Sequence, residues 1–443
     1  MSRGHTDKQP TPKQFFRVLR NYWLSLLGAA ALLSVIQWGV SQTDSGSNLL
    51  RLNDEWIQRQ LAVHGRKKTP SVCVIDLTKS VPDCFETGRI PVPRSLMTEV
   101  IEMVALLNPR AIGVDVDLSP LGVETADPDN DPAFFLHCMD YSTRGSTAIP
   151  VVLGVSRTVG GGHHYWFADS SYASLLAGAI LHPTAARLPR GQLVLWVEAA
   201  TPHEATTRLW SLSAQMVRRA TREGLEHSPD SWEKTGFEPD WWIWRQLVKS
   251  VESNQLGNPG DRTFMRIGNI VGDFSNIIAL QKPPYTIPVE DLHKPEVQEF
   301  IRDKYVILGF SHGASTSDLF CVPGSDEPVA GVYLHASGVE SLIQQPLLRL
   351  VDPWGKWALM FALATVVAAI AGGIVLLRHR RHMEQDLEVI GGGINNAALV
   401  IGLVACILYV GVVRVCWDDF LLALPFMTLS PIIEARIRKA LKS

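Results

Sequence analysis

Charge is scarce in this chain of 443 residues. Asp, Glu, Lys and Arg make up 19% of it, against the roughly one quarter of an ordinary soluble domain. The net charge of −3 gives no basic footprint for nucleic acid, so no nucleic-acid partner is expected. The six cysteines contain no C-x-x-C pair, which leaves a zinc ribbon or a thioredoxin-like site without support. There is no internal repeat and no low-complexity tract. Gly (34) and Pro (27) occur in ordinary amounts, which excludes collagen-like and disordered classes.

What the chain does have is apolar sequence, 46% of it, concentrated near its two ends. The run at 21–41 opens with Tyr22 and Trp23 and follows a basic segment. It exceeds the 7 to 15 residues of a signal-peptide core and has no clear small-residue cleavage site, so it reads as an uncleaved anchor. The runs at 354–377 and 389–413 are long enough to cross a bilayer; the run at 420–433 is shorter and carries Pro425 and Pro431. Charge placement decides in favour of four crossings. A cytoplasmic N-terminus puts segment 1–20, with Arg3, Lys8, Lys13, Arg17 and Arg20, the loop 378–388, with Arg378, Arg380 and Arg381, and the tail 434–443 on one side. Residues 41–353 hold 27 basic and 37 acidic residues, a balance of −10, and fall outside, as the positive-inside rule requires. The expected localisation is therefore a multi-pass inner-membrane protein with a large external domain at 42–353 and the lipid bilayer as partner. Ala364, Ala368 and Gly372, and again Ala398 and Gly402, recur at four-residue spacing, which allows close helix packing within one chain or in a homodimer.

The external block reads as α/β with a central, partly parallel sheet. Ser71–Leu77 and Ala111–Leu118 are buried-strand patterns separated by a helix at Ser95–Leu107, a βαβ unit and hence a parallel pair. Ala148–Thr158 and His164–Ala168 flank a glycine run and read as a hairpin. Helical patterns follow at Ser170–Ile180 and Thr207–Glu223, and the Trp-rich stretch 224–260 reads as an insertion. Tyr305–Phe310 is a last buried strand, and Val332–Leu347 a helix.

Six motifs in order carry a resemblance: Val74-Ile-Asp76, Arg89-Ile-Pro-Val-Pro-Arg94, Ala111-Ile-Gly-Val-Asp115, Tyr305-Val-Ile-Leu-Gly309, Asp318 followed by Val322-Pro323, and Gly331-Val-Tyr-Leu-His-Ala336. Together with one anchor before them and three apolar helices after, they resemble the CHASE domain of the second type. This is an extracytoplasmic sensory domain of bacterial receptors associated with cyclases and histidine kinases. The resemblance covers roughly residues 45–350. It implies a non-enzymatic receptor-like protein with no cofactor. Candidate ligand-binding residues are Asp76, Arg94, Asp115, Asp318 and His335, which lie in these motifs, and Asp117, a departure from the family pattern that enters through its place at the strand end. Family members commonly continue into a cytoplasmic output domain, whereas about ten residues follow the last apolar run here. Signalling is therefore expected to pass through a separate cytoplasmic protein. The alternative is a structural or assembly protein that uses the external domain as a docking surface.

Some residues point to chemistry of their own. Gly309-Phe310-Ser311-His312-Gly313 is a literal G-x-S-x-G after a buried strand, and Asp318 and His335 follow in the Ser, Asp, His order of an α/β-hydrolase. The sequence after Ser311 reads as loop where the nucleophile elbow needs a helix, so catalysis at Ser311 is the weaker reading. Asp115 and Asp117 share a face of a strand end, and with Asp76 ending the adjacent strand three acids could converge, suited to a hard cation or small ligand. The plainer reading is that they cap the following backbone. Adjacent histidines in a strand, such as His163 and His164, point apart and make a poor chelating pair. Arg94 at a helix start suits either a structural ion pair or an anionic ligand. Cys73 reads as a core thiol, and a Cys84–Cys321 bridge is conceivable.

Overall fold

The computed structural model describes residues 56, 69–80, 92–116, 130–143, 148–155, 176–179, 192–200, 206–220, 264–312, 319–320, 322, 325, 327–343, 349–350 and 415–416. The chain divides into two compact units, one of residues 54–350 and one of residues 1–53 with 351–443. In the latter, Val415–Cys416 are the described residues, so all four expected crossings lie outside the described residues. Among the described residues, no helix is long and apolar enough to cross a membrane.

The 54–350 unit is built on a six-stranded sheet. Its strands are β1 (Val72–Asp76), β2 (Ala111–Val114), β3 (Val151–Val155), β4 (Leu176–Ala179), β8 (Thr286–Pro288) and β9 (Tyr305–Gly309), in the order β4-β3-β2-β9-β1-β8. Every pairing in it is parallel. The sequence reading of a partly parallel sheet is sharpened accordingly. Runs such as Val-Cys-Val-Ile and Tyr-Val-Ile-Leu-Gly are buried along their whole length because helices cover both faces.

On one face, α1 (Arg94–Leu106), α2 (Asn130–Thr143) and α5 (Pro295–Ile301) pack over Cys73, Ile75, Ile112, Val114, Val306 and Leu308. On the other, α3 (Leu212–Ala220), α4 (Ile277–Leu280) and α6 (Gly331–Ile343) cover Val72, Val74, Ala111, Tyr305 and Ile307. Alternation along each strand divides the two cores. Helix α1 buries Met97, Val100, Ile101, Val104 and Ala105 at helical spacing, and it stops before Asn108, whose φ of 57° is left-handed, ahead of Pro109. Helix α3 approaches β2 closely at Gly113, where a Cβ would stand 2.3 Å from Met216 Sδ. A further antiparallel group pairs β5 (Gln192–Ala200) with both β6 (Thr206–Trp210) and β7 (Phe264–Val271). β12 (Arg349–Leu350) adds to β7. Two short strands, β10 (Leu319–Phe320) and β11 (Val329–Ala330), pair antiparallel just before α6.

Four sequence expectations are corrected. The βαβ unit exists, but β1 and β2 are not neighbours, because β9 inserts between them. The 148–158 hairpin does not form on β3, whose two edges are taken by parallel neighbours β2 and β4. Residues 164–168 lie outside the described residues, as does the whole 224–260 segment. Within the expected helix 170–180, Leu176–Ala179 is a strand, since pairing along β3 overrides a local sequence with no β-branched residue until Ile180. The expected helix 207–223 starts only at Leu212, because Thr206-Thr-Arg-Leu-Trp210 pairs with β5.

Candidate functional site

The three central strands place one residue each in a row at the carboxyl edge of the sheet. Asp76 ends β1 opposite Gly309, which ends β9, and Asp115 follows β2, its N–H donating to the Leu308 carbonyl at 2.8 Å. Strand alternation sends all three to the face covered by α6, since Val74 and Ile307, two residues earlier, belong to that core. The carboxyl edge of a parallel sheet is where α/β folds ordinarily bind ligands.

Asp76 is a hydrogen-bond hub. Its Oδ1 accepts from the Thr78 N–H (3.0 Å), the Thr78 hydroxyl (2.6 Å) and the Ser311 N–H (3.0 Å), and its Oδ2 accepts from the Ser311 hydroxyl (2.7 Å). Partial burial opposes its charge, yet these bonds together outweigh burial and hold its pKa below the ordinary carboxylate value. The first two bonds form an Asx turn that starts the loop after β1. The hydroxyl of Ser311 also meets His312 Nδ1 at 2.6 Å. Because the single Ser311 hydroxyl hydrogen goes to Asp76, hydrogen counting makes His312 Nδ1–H the donor to Ser311. From α6, the Tyr333 hydroxyl, which lies beside Ser311, reaches Thr286 Oγ1 at 3.0 Å. Thr286 donates to the Leu280 carbonyl at 2.6 Å, so Tyr333 is the donor to Thr286.

Asp115 lies in a different setting. Burial alone pushes its carboxyl up to about 7, and the same burial pushes the imidazole of His335, on α6, down to about 4. The 3.5 Å approach of His335 Nε2 to Asp115 Oδ1 is therefore that of a carboxylic acid and a neutral imidazole between those two pH values. Between the acids, Val332 presses on Gly309, where a Cβ would stand 2.7 Å from Val332 Cγ2 and 3.3 Å from Asp115 Cβ. A glycine there is what lets α6 seat, and the valine keeps the carboxylates apart. Two strand spacings separate their strands, about 10 Å.

The sequence expectation that the acids converge on adjacent strands is thus corrected: β9 stands between Asp76 and Asp115, and Asp117 lies outside the described residues. No group of three or more His, Cys, Asp or Glu side chains suited to a metal ion occurs among the described residues. The Ser, Asp, His order of a hydrolase does not assemble as read. His335 meets Asp115 and not Ser311, and Asp318 lies outside the described residues. Residues 311 and 312 form a turn, the Ser311 N–H is directed at a carboxylate, and a carboxylate with lowered pKa is a weak base for that serine. Arg94, buried at the start of α1, belongs to the opposite face, with its guanidinium carbon 5.5 Å from the Phe134 ring centre and 5.9 Å from that of Phe135.

Sequence reasoning missed Thr78, Thr286, Tyr333 and Glu340. Tyr333 stands inside a motif quoted for the family resemblance, and Glu340 is the single acid in the apolar run 331–343, a signal open to inspection. The Glu340 carboxyl, 4% exposed, accepts from the backbone N–H of Ser71 and of Val72 at the start of β1. Burial raises its pKa to about 7 against the lowering effect of those bonds and of Lys304. Cys73 is buried with its thiol pushed up to about 12, as a core thiol should be; Cys84 and Cys321 lie outside the described residues.

The CHASE2 domain family matches residues 27–370, and the chain belongs to that family. The family is one of extracytoplasmic sensory domains, which gives the chain an extracytoplasmic sensory domain. No curated protein and no solved structure matches it.

Proposed function

We propose that this member of the CHASE2 family is a non-enzymatic, multi-pass inner-membrane receptor whose external α/β domain binds a small polar ligand at the Asp76–Ser311–Tyr333 edge of its sheet. The observation that carries the reading is the joining of family and geometry. A sensory domain presents a carboxylate, the Ser311 hydroxyl and an exposed imidazole in one connected network, at the edge where parallel sheets bind ligands. Sensing outside a membrane requires a reader inside, so the partner is a cytoplasmic signalling protein. The topology follows from the charge distribution: thiol labelling from outside should reach a cysteine placed at 160 and not one at 380. The reverse pattern would defeat the reading.

The test of the site is thermal melting of the full chain in lipid nanodiscs against a panel of amino acids, sugars, carboxylic acids and polyamines. A ligand specific for the folded state raises the melting temperature by mass action. A compound that raises it in the wild type and not in Ser311→Val supports the site. Shifts of equal size in both proteins would move the site elsewhere, and a panel with no shift would favour the docking alternative.

A further inference from the structure

Helix α6 touches the candidate site with one end and the first residues of β1 with the other. Tyr333 and Glu340 are seven residues apart, two turns, and so share the sheet-facing side about 10 Å apart along the axis. At one end the Tyr333 hydroxyl donates to Thr286 beside Ser311, while Val332 seats on Gly309. At the other, β8 runs alongside β1 only from Val74 onward, where the Val74 N–H donates to the Tyr285 carbonyl at 2.7 Å. The Val72 N–H, two residues earlier on the same edge, finds its acceptor instead in Glu340 Oε1 at 2.8 Å, and the Ser71 N–H goes to the same oxygen. Lys304 completes the bracket by donating to the Pro70 carbonyl at 2.8 Å.

The place where the chain enters the sheet is thus held by a side chain of α6 in addition to the ladder with β9. Between Tyr333 and Glu340 the helix is buried throughout, so it moves as one piece or not at all. We propose that α6 couples the strand-end site to the start of β1, with Glu340 as the positioning residue that passes a displacement of Tyr333 on to Ser71 and Val72. The proposal rests on the ligand reading of that site and supplies its route of transmission. The hold is strong enough to matter because the Val72 N–H is buried, and a buried donor that loses its acceptor bears its full desolvation cost.

The test needs no ligand. Amide hydrogen exchange at single-residue resolution is measured on the full chain in lipid nanodiscs, with Tyr333→Phe as the perturbation at the site. The expected result is faster exchange at Ser71 and Val72, by about fivefold, the scale of one lost hydrogen bond. The Tyr305 amide, which donates to the Ser71 carbonyl across the ladder, should stay unchanged. Placing Tyr333→Phe in a Glu340→Met background should abolish its effect on Ser71 and Val72, and a Glu340→Gln background, which keeps an acceptor, should restore it. Equal loosening of Tyr305, or an effect that persists with Met at 340, overturns the proposal, as does a Tyr333→Phe effect confined to α6. Should Glu340→Met not fold, the contrast between Tyr305 and Ser71–Val72 in Tyr333→Phe alone decides. Because no ligand enters the experiment, its failure leaves binding at the site untouched, and absent binding leaves its result standing.

Discussion

Asp76 and Asp115 are the same residue at the same edge of one sheet, both facing α6, and their protonation runs in opposite directions. Asp76 collects four hydrogen bonds and is held as an anion; Asp115 is enclosed by apolar neighbours and a neutral imidazole, and it keeps its proton to about 7. The difference arises from what each strand hands over to. β1 runs into a polar turn with Thr78 and faces Ser311, whereas Asp115 sits beneath α6 against Val332 and His335. Position at a strand end therefore makes a residue a candidate, and its donors decide whether it is charged.

The pH dependence of stability should separate the two most widely. An Asp whose folded pKa lies above its unfolded value stabilises fully below about pH 4, and that contribution is lost as pH rises through 7. Asp115→Asn should match the wild type near pH 4 and gain on it by up to about 4 kcal/mol by pH 7, taking ~1.4 kcal/mol per pKa unit as a ceiling. His335 has the opposite sign, its contribution being present above pH 6.5 and lost as pH falls toward 4, and Glu340 has the sign of Asp115. Glu340 is common to the two proteins and cancels in the difference, whereas His335, 3.5 Å from Asp115, is coupled to it, so the difference reports the Asp115–His335 pair. Urea unfolding of the full chain in detergent at pH 4, 5.5 and 7 measures it, and a pH-independent difference would show that Asp115 is ionised throughout.

Next in size is Asp76→Ala. Four donors lose their acceptor, and at about 1 kcal/mol each, with water recovering part of the loss at this half-buried position, the cost should be about 3 kcal/mol. Asp76→Asn keeps an acceptor oxygen and should cost about 1 kcal/mol. Gly309→Ala then tests what holds the acids apart. The added methyl must displace Val332, and overpacking of this kind costs about 2 kcal/mol. The diagnostic is the partner change: Val332→Ala should recover much of the loss in the double variant, by urea unfolding, and a purely additive pair would refute the wedge.

Much of this edge was readable beforehand, and the part that was not has a physical cause. β1, β2, β9, α1 and α6 announce themselves because two-sided burial writes an apolar run and one-sided burial writes a helical stripe. Asp76 and Asp115 were legible as strand-end acids. That β9 would insert between β1 and β2 was not, because lateral strand order is set by crossovers of long sequence separation and leaves no local trace. For the same reason Leu176–Ala179 passed for helix until its partner β3 was known. Tyr333 escaped because a helix facing a sheet hides its polar contacts inside an apolar pattern, whereas Glu340 stood out as the single acid of its run and its partners, the amides of Ser71 and Val72, lie too far away in sequence to be read.

The smallest effect expected is that of divalent cations, and it follows from the same separation. Had the two strands been neighbours, Asp76 and Asp115 would lie within reach of one ion, and Ca²⁺ or Mg²⁺ would stabilise the fold by mass action. With β9 between them and Val332 over Gly309, one carboxylate is saturated by hydroxyl and amide donors and the other, pushed up to about 7 by burial, keeps its proton across the acid range. A cation would have to strip the first of its donors and the second of its proton while bridging about 10 Å, well beyond the 2.3–2.6 Å reach of its ligand bonds. Millimolar Ca²⁺ or Mg²⁺ should therefore leave the melting temperature of the wild type within about 1 °C of its value in chelator, which for a folded unit of this size limits any stabilisation to about 1 kcal/mol or less. A clear rise that disappears in both Asp76→Asn and Asp115→Asn would mean that the two carboxylates meet, and would place the comparison between them in error.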